Sequence, residues 1–217
     1  MLTSDDAPSI RTDYLITDLG DFRSRFGDTG PTIYAKSTPV LSAPMQQFVA
    51  LSPFCIVSSQ NAEGATDISP RGDAPGFVEV LEPGLLLLPD RPGNQRFDTF
   101  TNVLSNPPVS MLFLIPGVFD TLRVNGHGLV TRDPDLLSRA TINGRVPPLG
   151  LLIQIEEAFG HCSKAIRRSR LWDIDGQIDR KSAPSLVELM MSHLEVSEAD
   201  WQAQDQRITA DVKNNMY

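Results

Sequence analysis

Runs of β-prone apolar residues recur at short intervals through the middle of the chain, broken by Gly, Pro and Asn. "FCIVSSQ" predicts a strand, "NAEG" a tight turn and "ATDISPRG" the returning strand, because a polar Asn/Gly turn between β-prone runs signals a hairpin. Pro70 ends or bulges the second strand, since proline has no N–H to give to the ladder. "FVEVLEPGLLLLPD" predicts two more strands around Glu82-Pro83-Gly84, and "VSMLFLIPG", "DTLRVNGHGLVTRD" and "LGLLIQIEEAFGHC" continue the series. One stretch changes period. "DTFTNVLSNPP" sets Phe100, Val103 and Leu104 at i, i+3 and i+4, a helix stopped by Pro107 and Pro108.

Strands joined mostly by hairpins and interrupted by one helix predict a mainly β fold, an antiparallel barrel with peripheral helices outside. Upstream, "SAPMQQFVALSPF" places Pro44 in a first helical turn and Met45, Phe48, Val49 and Leu51 at helical spacing, a short helix entering the core. Residues 1–40, mixed and broken by Gly and Pro, read as an N-terminal extension of short helices and loops on a single domain spanning 1–217, with the barrel core over 41–175. From Pro184 onward, "SLVELMMSHLEVSEADW" puts Leu186, Leu189, Met190 and Leu194 on one face, a docked C-terminal helix over 184–202 whose stripe faces the core. A partner-binding helix is the sharper alternative.

Composition narrows the partners. The formal charge of −8 over 217 residues argues against nucleic acid, which requires a positive surface to displace counterions. The two cysteines, Cys55 and Cys162, sit in no CxxC or zinc-like spacing, and His127 and His193 have no ligand-spaced partners, so no metal site is expected. The acidic N-terminus does not resemble a signal peptide, and no apolar run approaches a membrane span, so the expectation is a cytoplasmic protein without a membrane partner. The absence of GxGxxG and GxxxxGK[ST] removes support for dinucleotide-type and P-loop phosphate binding.

The chemistry-bearing residues gather in two segments. "TDISPRGD" and "LLLLPDRPGNQRFDTFTN" can meet across a sheet, and together they supply Ser69, Arg71, Arg91, Asn94, Gln95 and Arg96. Guanidinium groups bind phosphate oxygens through charge-assisted, often bidentate hydrogen bonds, and amides and hydroxyls fill the remaining lone pairs. A helix starting near Asp98 or Thr99 would add its N-terminal dipole to the same anion. The alternative is that the arginines pair with Asp67, Asp73, Asp90 and Asp98. A third basic segment, "HCSKAIRRSRLW", sets Lys164 and Arg168 one helical turn apart. There they serve either as charge near a ligand or as a solvated basic face.

The ordered succession "TDISPRGD", "LLLLPDRPGNQRFDTFTNVLSNPPVSMLFLIPG", "DTLRVNGHG" and "HCSKAIRRSRLWD" resembles the FMN-binding split-barrel proteins related to pyridoxamine 5'-phosphate oxidase, over roughly residues 40 to 175. The resemblance implies an antiparallel FMN-binding split β-barrel, with FMN in a groove at a homodimer interface. It implies Asp67, Ile68, Ser69 and Arg71 along the ring and ribityl chain, and Asn94, Gln95 and Arg96 at the phosphate. Arg123, with Asn125, matches the next strand and faces either the groove or a core bend, and Lys164 and Arg168 are candidates for positive charge near the flavin. The basic C-terminal motif departs from the Trp and Arg-His signature of the true pyridoxamine phosphate oxidases, which places the chain in a related subgroup. The implied function is that of an FMN-dependent oxidoreductase acting on a small-molecule substrate, with no residue assigned a catalytic role. The alternative is a flavin-binding protein of the same fold that senses or stores without turnover.

Overall fold

The structure is a computed structural model that describes residues 11–93, 95–194 and 197–214. The chain divides into two compact units, residues 1–36 and residues 37–217. The first unit contains helix α1 (Leu19–Phe26) and the short α2 (Pro31–Tyr34). Asp18 caps α1 by accepting from the Asp21 amide at 2.8 Å, which satisfies one of the donors that every helix start leaves unpaired.

The second unit opens with α3 (Ala43–Leu51), then β1 (Phe54–Gln60), β2 (Thr66–Gly72), β3 (Glu79–Glu82) and β4 (Leu85–Pro89). Helix α4 (Asp98–Ser105) interrupts the strands, which resume as β5 (Pro108–Leu114) and β6 (Thr121–Thr131). After α5 (Pro134–Ser138) comes β7 (Gly150–His161), followed by α6 (Lys164–Ser169), α7 (Leu186–Met191) and α8 (Glu198–Asn214). The seven strands form one antiparallel sheet in the order β2-β1-β5-β6-β7-β4-β3.

Alternation decides which face of each strand is buried. Cys55 and Val57 of β1, Val109, Met111 and Phe113 of β5, Leu122 and Val124 of β6, and Leu151 and Ile153 of β7 share one core. Strand β6 is long enough to serve two neighbours in succession. Its first half pairs with β5 and with the end of β7, and its second half with the start of β7, which in turn pairs with β4. The register shifts between Asn125 and Gly126, where a bulge lets the sheet curve. A Cβ on Gly126 would lie 2.0 Å from the Gln154 carbonyl oxygen, so only glycine permits this approach. The result is the antiparallel barrel expected from the strand pattern, in the split form that the family resemblance implies.

Helix α4 seals the inner face through Thr99, Phe100 and Val103, while Asn102 donates to Ser59 of β1 at 3.0 Å. Leu104, expected on the buried stripe, is 74% exposed. It lies one helical step beyond Val103, and the inner face is already filled by the side chains at 99, 102 and 103. The C-terminal stripe also differs. Two helices, α7 and α8, stand where one was expected over 184–202. Leu186, Leu189, Met190 and Leu194 are all exposed, and Val187 is the buried residue of α7. A six-residue helix held by a Ser185–Glu188 capping box docks through one side chain, so the wider stripe stays outward.

One ion pair connects the segments that leave β2 and β4. Asp73, immediately after β2, accepts from Arg91 Nε at 2.6 Å, the two side chains being 2% and 18% exposed. Arg91 also donates to the Ala140 carbonyl at 2.8 Å, and so fastens the segment after α5. Removing one partner strands the other charge in the interior. Arg91→Ala should therefore lower the unfolding free energy by about 3–5 kcal/mol, measured by urea denaturation. The double variant Arg91→Met/Asp73→Leu should lose less than either single alanine variant, which a double-mutant cycle reads directly.

Candidate functional site

The inward face of β2 carries Asp67, Ser69 and Arg71, opposite Ser59, Val57 and Cys55 of β1. Because β2 is at the sheet margin, these side chains border an open groove and meet the first turn of α4. Arg71 Nη2 donates to Thr99 Oγ1 at 3.1 Å, and that hydroxyl donates to Asp67 Oδ2 at 3.2 Å. Ser69 Oγ donates to the same carboxylate oxygen at 3.0 Å. Thr99 is 1% exposed. Within the sequence it reads only as a helix start, and its hydroxyl had no signal beyond the general preference of threonine for first turns.

The groove has a volume of about 840 Å³ and is walled by β2, by Pro89 to Gly93 after β4, and by Gln95 to Asp98 leading into α4. Phe77, Phe100 and Pro148 add apolar surface. The segment entering α4 is strained, with φ of 58° at Gln95 and 57° at Phe97, values in the left-handed region that cost a residue bearing a Cβ. Phe97 occupies the N-cap position and makes no side-chain capping bond. The helix start, with Phe97, Asp98 and Phe100, lines the groove.

The arginines do not behave alike. Arg91 is held by Asp73, and Arg96 is 72% exposed and pairs with Asp98 at 2.7 Å. For these two, the pairing alternative describes the geometry. Arg71 makes its hydrogen bond to a neutral hydroxyl instead. Asp90 lines the same groove, and burial raises its carboxyl pKa, against the lowering influence of Arg71, the Arg91 amide and the Arg91 guanidinium. Burial likewise pushes the Cys55 thiol up to about 12, despite the opposing charge of Arg71, so Cys55 is a packed side chain and not a nucleophile.

Of the residues expected at the site, Asp67, Ile68, Ser69, Arg71, Gln95 and Arg96 all line this groove. Asn94 lies outside the described residues. Arg123, Lys164 and Arg168 are not brought to it. Arg123 does not line this groove. It lies on the outward face of the sheet, 3.5 Å from Glu157 and with its guanidinium 4.3 Å from the centre of the Phe159 ring. Asn125 donates to the same Glu157 oxygen at 2.8 Å. Arg123 Nε and Asn125 Oδ1 are buried with no hydrogen-bond partner among the described residues. His161 stacks near Phe159, and burial together with the Arg123 charge lowers its pKa. Lys164 and Arg168 are exposed on α6, which follows the end of β7 beside Thr121. Arg167 lies over Phe119, and Trp172 donates to the Val118 carbonyl, so this basic segment docks on the β5–β6 connection.

Three solved structures are among those similar to part of this chain. HupZ of Group A Streptococcus is 15% identical, with 55% of this chain and 93% of that chain covered at a TM-score of 0.46. General Stress Protein 26 from Bacillus anthracis is 14% identical, covering 52% and 88% at a TM-score of 0.40. An F420 reductase is 14% identical, covering 54% and 94% at a TM-score of 0.37. No curated protein matches the chain. No helix among the described residues is long and apolar enough to cross a membrane. The family model for pyridoxamine 5'-phosphate oxidase matches residues 41–161, from Leu41 in the core through the last residue of β7. That match covers more than half of the chain, which thus belongs to the pyridoxamine 5'-phosphate oxidase family.

Proposed function

We propose that the groove binds FMN and that the protein is an FMN-dependent oxidoreductase acting on a small-molecule substrate in the cytoplasm. The observation that carries this reading is the start of α4, whose N-cap residue Phe97 makes no side-chain capping bond, which includes two strained residues at its approach and lies in a groove bordered by Arg71. The amides of a helix start and a guanidinium facing one volume favour an anion through partial charges and charge-assisted hydrogen bonds. A volume of about 840 Å³ falls within the range of cofactor sites. Family membership supports a flavin as the molecule attached to that anion.

On this reading the first turn of α4, Arg71 and the Gln95–Arg96 segment hold the phosphate. Asp67 and Ser69 border the ribityl chain and ring, with Ile68 between them along the strand and its side chain on the other face. FMN supplies the hydride-accepting ring, and the protein contributes binding, orientation and exclusion of water. Arg96, which the sequence places nearest the phosphate, is the more exposed and is paired with Asp98, so Arg71 is the stronger anchor.

The same proposal includes a homodimer. On the outward face of the sheet, Pro70, Ile56, Leu112, Arg123 and Phe159 succeed one another across five strands by register. The neighbouring row is Ile68, Ser58, Ser110, Asn125 and Glu157. Ile68 is 70% exposed, and the face bears Arg123 and Glu157, opposite charges that a two-fold axis can exchange between copies. Because they do not line the groove of their own chain, Arg123, Lys164 and Arg168 enter the site only as residues donated by a second copy.

Arg71→Ala should weaken FMN binding roughly ten- to hundredfold, the loss of a contact of about 1.5–3 kcal/mol. Riboflavin lacks the phosphate and should change by less than about twofold. Titration of flavin fluorescence measures both, and equal losses for the two ligands would mean that Arg71 supports the fold and not the anion. Ile56→Glu should convert the dimer to a monomer in sedimentation velocity, by placing a charge between Pro70 and Leu112 in that row. A parent protein that sediments as a monomer while retaining flavin would contradict the assembly.

A further inference from the structure

Arg71 extends from the sheet margin into a groove that also contains Asp67, Asp90 and the Arg96–Asp98 pair. A long, flexible cation among carboxylates would ordinarily pair with one of them, and so be lost to an incoming anion. The geometry here avoids that outcome through a single hydroxyl. Thr99 Oγ1 has one hydrogen, and it is directed to Asp67 Oδ2 at 3.2 Å. Its lone pairs are thereby turned toward Arg71, whose Nη2 donates to it at 3.1 Å. Ser69 Oγ, donating to the same Asp67 oxygen at 3.0 Å, steadies the carboxylate that orients the hydroxyl.

The place of Thr99 in the helix gives this arrangement its consequence. It is the second residue of α4, after Asp98 and the N-cap Phe97, and is 1% exposed. Its backbone belongs to the first turn, which the N-cap Phe97 leaves without a capping bond of its own, and its side chain holds the guanidinium. One buried residue therefore sets the separation between the two groups available to a phosphate monoester. A polar group positioned in advance spares the ligand the cost of ordering it.

We propose that Thr99 is a positioning residue that fixes Arg71 beside the first turn of α4 and so determines the preference of the groove for the phosphorylated form of its ligand. The inference rests on the reading of the groove as an FMN site. It assigns the discrimination between phosphorylated and unphosphorylated ligand to a side chain that touches the guanidinium, not the phosphate.

The test compares FMN with riboflavin on the full-length parent and on Thr99→Ser, Thr99→Val and Thr99→Ala, with far-UV circular dichroism as the check on folding. Serine keeps the hydroxyl and should retain the preference for FMN to within about twofold, whereas valine, of the same shape without the hydroxyl, should reduce it about tenfold. Riboflavin affinity should hold in all four proteins, and added salt should weaken FMN less in the valine variant than in the parent. Alanine serves in place of valine where valine does not fold. Undiminished FMN preference in the valine or alanine variant overturns the proposal, as does an equal loss of both ligands or a serine variant that fails like valine. A parent protein that binds riboflavin as tightly as FMN instead overturns the reading of the groove itself. The two failures are thus distinguishable.

Discussion

The Asp73–Arg91 pair is the constraint on which the groove depends. β2 lies at one edge of the seven-stranded sheet and β4 next to the other edge, and the pair joins the segments that leave them. Charge alone is a poor reason for stability, because burying ions costs several kcal/mol each, about as much as their attraction returns. What the pair supplies is a fixed distance. Asp73 is nearly inaccessible and Arg91 mostly so, and the further bond from Arg91 to the Ala140 carbonyl gives the guanidinium a second partner. With these two segments joined, the inward side chains of β2 face the start of α4 across a defined space.

Within that space, charges of both signs are sorted by partner. Arg91 belongs to the frame and Arg96 to the exposed rim, each with its own aspartate. Arg71 is held by a hydroxyl, which leaves its charge uncompensated at hydrogen-bond range. Asp90 lines the same groove, where burial raises its carboxyl pKa against the opposing charge of Arg71. An acidic protein can in this way keep one local volume receptive to an anion, although its net charge is −8.

Much of this was legible in the sequence, and the remainder fails for identifiable reasons. The strands from Phe54 to His161 follow from β-prone runs and turn residues, because backbone pairing and one-sided burial leave direct traces in residue order. The grouping of "TDISPRG" with "RPGNQRFD" at one groove was likewise readable. Which arginine pairs with which aspartate was not. Several pairings satisfy the same spacing, and side-chain reach decides among them. Leu104 and the outward stripe of α7 show the same limit, since an apolar face states that burial is available, not that a partner surface is wide enough to use it. Thr99 is the clearest case. Its role depends on two residues of β2 that are far from it in sequence and adjacent only after the sheet margin folds against α4.

The central claim is that this groove holds a flavin by its phosphate. The most direct measurement is the visible absorbance spectrum of the purified protein, or of protein incubated with FMN and freed of excess, followed by identification of the released chromophore. The account predicts a bound-flavin spectrum and release of FMN. A protein that retains no flavin after incubation, or that releases only riboflavin, would contradict it.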